Sequence, residues 1–238
     1  MRIPLCVLAG ITALAISGPA QTGGASFSGR LFYSGTVVTG APYSAERIVE
    51  HARPAAGGTL LTSGSQHETV YRDSQGRTRV ERPLLPGPDA PPHAPIIVEI
   101  RDSVAHVGYV LDTQHKIAHR VALEFARAAG PRSSRVPPQA QESSEDLGQQ
   151  LIEGVAAQGR RVTHIWPAGK VVSESWFSPE IQEVVLSRLT DPRLGGTTVK
   201  LIHITVGQPD PSLFLPPPDY TIVNETGPFQ IEWTAAEH

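Results

Sequence analysis

Short runs in which apolar and polar side chains alternate recur along most of this chain, and Gly, Pro, Asp or Ser residues close nearly every one. Residues 68–72 and 77–82 flank Asp73-Ser74-Gln75-Gly76, whose Asp and Gly at opposite ends suit a tight turn, so the spacing predicts a hairpin. Further strands are predicted at 96–102, 104–111 and 116–123, the last two joined by the turn Asp112-Thr113-Gln114-His115. The last hundred residues are the most regular. Strands are expected at 171–177, 182–189 and 197–206, separated by Ser178-Pro179-Glu180 and by a Pro- and Gly-containing turn at 190–196. Residues 44–51 fit either a helical turn or a strand. Short strands at about ten-residue spacing with Pro and Gly turns describe a mainly β, α+β fold, an antiparallel sheet or partial barrel with few helices.

Other stretches break the pattern. Residues 21–40 are rich in Gly, Ser and Thr and read as a loose N-terminal arm with a short strand at 30–33. Six prolines between 83 and 95 remove too many N–H donors for a central strand, so this segment is an extended surface connection. A second irregular stretch spans 128–144, with three prolines, four serines and little to bury. The organisation predicted is one β-rich domain over 41–224 with Pro-rich loops at 83–95 and 128–144. A tail or edge strand follows at 225–238.

The first twenty residues set the compartment. Arg2 precedes an apolar run over 3–16, and Ser17-Gly18-Pro19-Ala20 offers the small residues of a cleavage site, so 1–20 reads as a secretory signal peptide. About 14 apolar residues are too few to span a bilayer core, which takes roughly 20. The protein is expected to be exported, periplasmic or extracellular, without a transmembrane segment after cleavage. Cys6, the one cysteine, lies inside the leader, so the exported part has no thiol, no disulfide and no Cys-based metal site. Of the formal charge of −3, the leader holds only Arg2, which leaves residues 21–238 near −4 and gives nucleic acid no basic surface to bind.

Four stretches together resemble a known group. They are Tyr71-Arg72-Asp73-Ser74-Gln75-Gly76-Arg77; Asp146-Leu147-Gly148 with Ile152-Glu153-Gly154-Val155; Glu174-Ser175-Trp176-Phe177-Ser178-Pro179; and Pro211-Ser212-Leu213-Phe214 with Pro217-Pro218-Asp219-Tyr220. This order resembles a group of uncharacterised exported bacterial proteins and, more distantly, is similar to LolA-like outer-membrane lipoprotein carriers. The resemblance implies a curved antiparallel sheet, an open half-barrel, whose apolar face holds acyl chains. It implies a non-enzymatic envelope protein with a lipid, a lipoprotein or a hydrophobic segment as partner. The chain departs from that pattern in its two Pro-rich insertions and in lacking a long helix. The alternative is a structural or protein-interaction protein of the envelope whose sheet is filled by its own side chains.

Candidate chemistry is sparse. Trp176 and Phe177 are consecutive on one strand, so one aromatic points to each face, and one of them meets solvent, a ligand or a covering segment. With Phe214, which also suits a hydrophobic plug, they are the candidate ligand contacts. Arg77 and Arg79 are candidates for contact with phosphate or an acidic partner, against a solvated hairpin tip. His106, His115 and His119 could gather on one hairpin as zinc ligands, but Lys116 stands where His-Glu-x-x-His needs its base, so no metal or other cofactor is expected. A Ser-His-Asp hydrolase is the enzymatic competitor. The chain lacks a Gly-x-Ser-x-Gly elbow and the strand-helix alternation around it, so no catalytic residue is assigned.

Overall fold

The computed structural model describes residues 24–29, 37–55, 59–84, 95–123, 141–166 and 169–234. The leader, the strand expected at 30–33 and most of both Pro-rich segments lie outside the described residues.

Fourteen strands run through the described residues. The first seven are β1 (Gly24–Gly29), β2 (Tyr43–Pro54), β3 (Leu60–Arg72), β4 (Thr78–Pro83), β5 (Ile96–Asp102), β6 (Val107–Asp112) and β7 (Ile117–Ala122). The others are β8 (Gln141–Ile152), β9 (Val155–Trp166), β10 (Gly169–Ser178), β11 (Glu183–Asp191), β12 (Gly195–Val206), β13 (Thr221–Asn224) and β14 (Phe229–Thr234). The sole helical turn among the described residues is a 3-10 turn, Pro211–Phe214. Twelve strands form one large, curved, unclosed sheet in the order β13-β7-β6-β5-β4-β3-β2-β12-β11-β10-β9-β8, as the fold class read from the sequence anticipates. Every pairing in it is antiparallel except β13 with β7. β1 and β14 form a separate antiparallel ribbon.

Several strand limits differ from the pattern-based ones for local reasons. Residues 44–51 are strand, inside β2. Val104, Ala105 and His106 belong to a turn rather than to β6, because the Asp102 carboxylate accepts the N–H groups of Val104 and Ala105 at 2.9 and 2.8 Å. Asp112 caps the next turn in the same way, and Asp73 and Asp191 do so before Gly76 and Gly195. Each turn then leaves through a left-handed residue: His106, Lys116, Gly76 or Gly195. Gln141 to Ser144, inside the stretch read as irregular, form the start of β8. They are exposed, so no alternation marks them as strand. Part of the loose arm is strand β1, and part of the tail is β14.

The core has two regions. β5 is apolar at Ile96, Ile97, Val98 and Ile100, the near-continuous run of a strand buried on both faces. Ile97 and Val110 meet Phe229 and Ile231 of the β1–β14 ribbon, while Val98, Ile100, Leu111 and Ala118 meet Phe214. That end of the sheet is therefore filled from both sides by the C-terminal segment. The other region joins Tyr43, Ala45 and Val70 to Val155, Ala157, Ile181, Val185 and Leu201. Arg72 of β3 donates to the Ile181 carbonyl beyond β11. Three strand spacings, about 14 Å on a flat sheet, separate β3 from β11, farther than an Arg side chain reaches, so the sheet must roll for this bond to form.

Candidate functional site

Cross-strand partners share a face, so the register identifies what each side of the rolled half presents. On one side, Glu145, Arg161, Glu174, Arg188, Thr198 and Glu50 lie in one row across six strands. Arg161 pairs with Glu145 at 2.6 Å and with Glu174 at 2.7 Å, and Lys200 reaches Glu50 at 3.0 Å. Alternating charge at this exposure marks a solvated face. The opposite side carries Ser173, Leu189, Thr197, His51 and Gly64 in one row, and Ser175, Ser187, Val199, Val49 and Gln66 in the next. Most of these small or apolar side chains are half-buried by the curvature of the sheet.

This second face opens as a cavity of about 500 Å³ at the ends of β2, β3, β10, β11 and β12. His51, Gly64, Val171, Leu189, Leu194 and Thr197 line it. The volume lies within the roughly 300–1,000 Å³ usual for ligand sites. Gly195 makes the wall possible: its φ is +108°, and a Cβ there would sit 2.0 Å from the Ala52 carbonyl oxygen. The carboxylate lining the cavity, Asp191, is taken up by Arg193 at 2.9 Å. That hydrogen-bonded guanidinium holds the Asp191 carboxyl down to about 2. Thr197 Oγ1 lies 3.4 Å from His51 Nδ1, and Ser63 Oγ donates to the His51 carbonyl. Of the lining residues, Leu189 and Leu194 are 48 and 80% exposed, and Leu61, in register with the lining Arg53, is exposed beside them. Away from the opening, the same face runs to the Arg47–Glu68 pair, where Arg47 Nε donates at 2.7 Å, and then into the Tyr43 core.

The residues singled out from the sequence fall elsewhere. Trp176 lies in the row of Leu186 and Lys200, with its ring over Gly159 and packed against the Tyr43 core region. Phe177 points to the other face, in the row of Val184 and Gln158 near the β10–β11 turn. Phe214 is fully buried beneath β5 and β6, in a core region that Trp176 does not touch. The structure does not bring the three together. Arg77 and Arg79 are not a solvated tip. Arg77 donates to Asp73 at 2.6 Å and lies 5.2 Å over the Phe214 ring; Arg79 donates to Glu81 at 2.6 Å and to the Leu213 carbonyl at 2.9 Å. Both guanidinium groups fasten the 3-10 turn to the sheet.

The histidines also part. His115 Nδ1 is 2.8 Å from Asp112 in an exposed turn. His119 is nearly buried on β7, 2.7 Å from Glu225 and stacked on Phe229 with centroids 4.4 Å apart. His106 sits in the β5–β6 turn with φ at +56°. Among the described residues, no group of three or more His, Cys, Asp or Glu side chains is placed to hold a metal ion. No helix there is long and apolar enough to cross a membrane. Sequence reasoning missed the cavity. Its one local signal is the Val171-x-Ser173-x-Ser175 alternation of β10, and the other walls come from strands far apart in the chain.

No protein-family model matches the chain, and neither does any curated protein. Among solved structures it is similar to LprF from Mycobacterium bovis, at 16% identity and a TM-score of 0.31 over 71% of this chain and 90% of that one. It is similar to the Mycobacterium tuberculosis lipoprotein LppX at 9% identity and a TM-score of 0.32, over 71% and 86% of the two chains. A domain from Vibrio parahaemolyticus described as an outer membrane lipoprotein-sorting protein is similar at 8% identity and a TM-score of 0.19, over 73% and 89%. The last carries the description to which the sequence resemblance points, and likeness at these scores bears on no function.

Proposed function

We propose that this chain is an exported, non-enzymatic binding protein of the cell envelope that holds the acyl chain of a lipid or lipoprotein in the cavity between β2, β3 and β10–β12. The observation that carries the reading is the open space of about 500 Å³ on the less polar face of the sheet, with the exposed Leu189 and Leu194 in its lining. An apolar chain entering it would leave water at about 25 cal/mol per Å² of buried surface. The β4–β7 end is filled on both faces by Phe214, Phe229 and Ile231, so the reading is confined to the cavity end.

Native mass spectrometry of the protein purified from an exporting host without detergent tests this. A lipid-sized adduct that disappears on denaturation is the expected result. An unloaded mass that stays unchanged on challenge with fatty acids and phospholipids would overturn the reading in favour of an envelope interaction protein with a self-filled core.

A further inference from the structure

The lining of the cavity is divided into two chemically different ends. Val171 of β10, Leu189 of β11 and Leu194 of the β11–β12 turn make one end apolar. β2 and β3 make the other polar, with His51, Arg53 and Ser63 in the lining. Strands β2, β12, β11 and β10 are successive neighbours in the sheet, so the two ends stand at most about 14 Å apart, three strand spacings. Between them, Gly195 of β12 puts no side chain in the way. The charges of the lining are not evenly matched. Arg193 Nε and Nη2 donate to the two Asp191 carboxylate oxygens at 3.1 and 2.9 Å, so this pair is satisfied within its own turn. Arg53 is exposed and makes no ion pair among the described residues. His51 lies two residues back on the same face of β2, about 6.6 Å along the strand, with its Nδ1 3.4 Å from Thr197 Oγ1.

A guanidinium without a carboxylate, at the polar end of a space whose other end is apolar, suits an oxyanion, which its fork of N–H donors meets in two parallel hydrogen bonds. An acyl chain joined to a protein through an ester or amide brings no charge to that place. We propose that the cavity takes an amphiphile with an anionic oxyacid head, a carboxylate or a phosphate, with the head on Arg53 beside His51 and the chain lying across β12 toward Leu189 and Val171. This rests on the proposed acyl-chain reading of the cavity and narrows it to a free anionic lipid rather than an acylated protein.

Calorimetric titration of the exported protein with dodecanoate, dodecyl phosphate and neutral monododecanoylglycerol tests this, because the three share one chain and differ in the head. In the wild type the anions should bind about ten-fold tighter than the neutral ligand, a preference that shrinks as salt is added. In Arg53→Ala the preference should disappear, and Arg53→Lys, which keeps the charge but not the fork, should recover part of it. Reading the ratio cancels any loss of packing that the three ligands share. The tighter of the two anions identifies the head as carboxylate or phosphate. Equal wild-type affinity for anionic and neutral ligands, or a preference that survives Arg53→Ala, would overturn the head assignment and leave the cavity reading standing. Failure of all three ligands to bind would overturn the cavity reading itself, and this assignment with it.

Discussion

The indole of Trp176 lies so close over Gly159, its partner on β9, that a Cβ at residue 159 would fall 2.6 Å from two ring carbons. The pair is a fitted contact: the absent side chain on one strand is the space the ring on the next strand occupies. Gly159→Ala must therefore push the ring out of its place against the Tyr43 core region. A loss of about 1–3 kcal/mol is expected, the usual cost of overfilling a packed site, and a urea titration followed by Trp fluorescence would measure it.

Phe214 supplies a larger effect. It is fully buried against Val98, Ile100, Leu111 and Ala118, with Arg77 over its ring. Phe214→Ala should cost about 3–5 kcal/mol, a fifth or more of the stability of an ordinary domain. Thermal unfolding of the variant would show it. A drop below about 1 kcal/mol would mean that the 3-10 turn does not close this end of the core.

Tyr43 offers a test at high pH. Burial, and then the Glu183 carboxylate 3.4 Å from its hydroxyl, push its ionisation well above the ordinary value of 10.0. Because the folded state keeps a proton that the unfolded state loses above about pH 10, this group makes stability fall as pH rises past that point. Absorbance at 295 nm should show Tyr43 ionising only together with unfolding, and Tyr43→Phe should flatten the alkaline loss of stability. Reversible ionisation of every tyrosine in the folded protein would contradict it.

The cavity can be blocked from its own wall. Thr197 stands between Leu189 and His51 in the lining row, so Thr197→Trp puts a large ring into the space. Uptake of a fluorescent fatty acid should fall roughly ten-fold or more, since each methylene kept in water forfeits about 0.8 kcal/mol. The melting temperature should move little, because the position is half-buried and the space beside it is open. Undiminished uptake would place the ligand elsewhere.

Much of the sheet was legible because its signals are local. The hairpin at Asp73-Ser74-Gln75-Gly76, the Pro- and Gly-bounded strands from β10 to β12 and the doubly buried β5 each follow from a few adjacent residues. Phe214 as a plug was legible too, since a large ring followed by donor-free prolines has few other uses. Arg77 and Arg79 were not. A carbonyl and an aromatic face more than 130 residues away decide that these charges turn inward, and nothing beside them in the chain says so. The cavity was hidden for the same reason. Val171, Leu189, Thr197 and His51 are each unremarkable, and only the order of strands β2-β12-β11-β10 puts them around one space. The start of β8, residues 141–144, escaped notice because an exposed edge strand has no buried face to impose a period on its sequence.

The pairing of β1 with β14 also governs when this protein can fold. The first described strand finds its partner only in the last, and β2, at the centre of the large sheet, waits for β12 roughly 150 residues later. A chain emerging from its N-terminus stays without the β2–β12 ladder until most of it is present. Contacts this distant slow folding. Removing the last ten residues would leave β1 with no strand to close on.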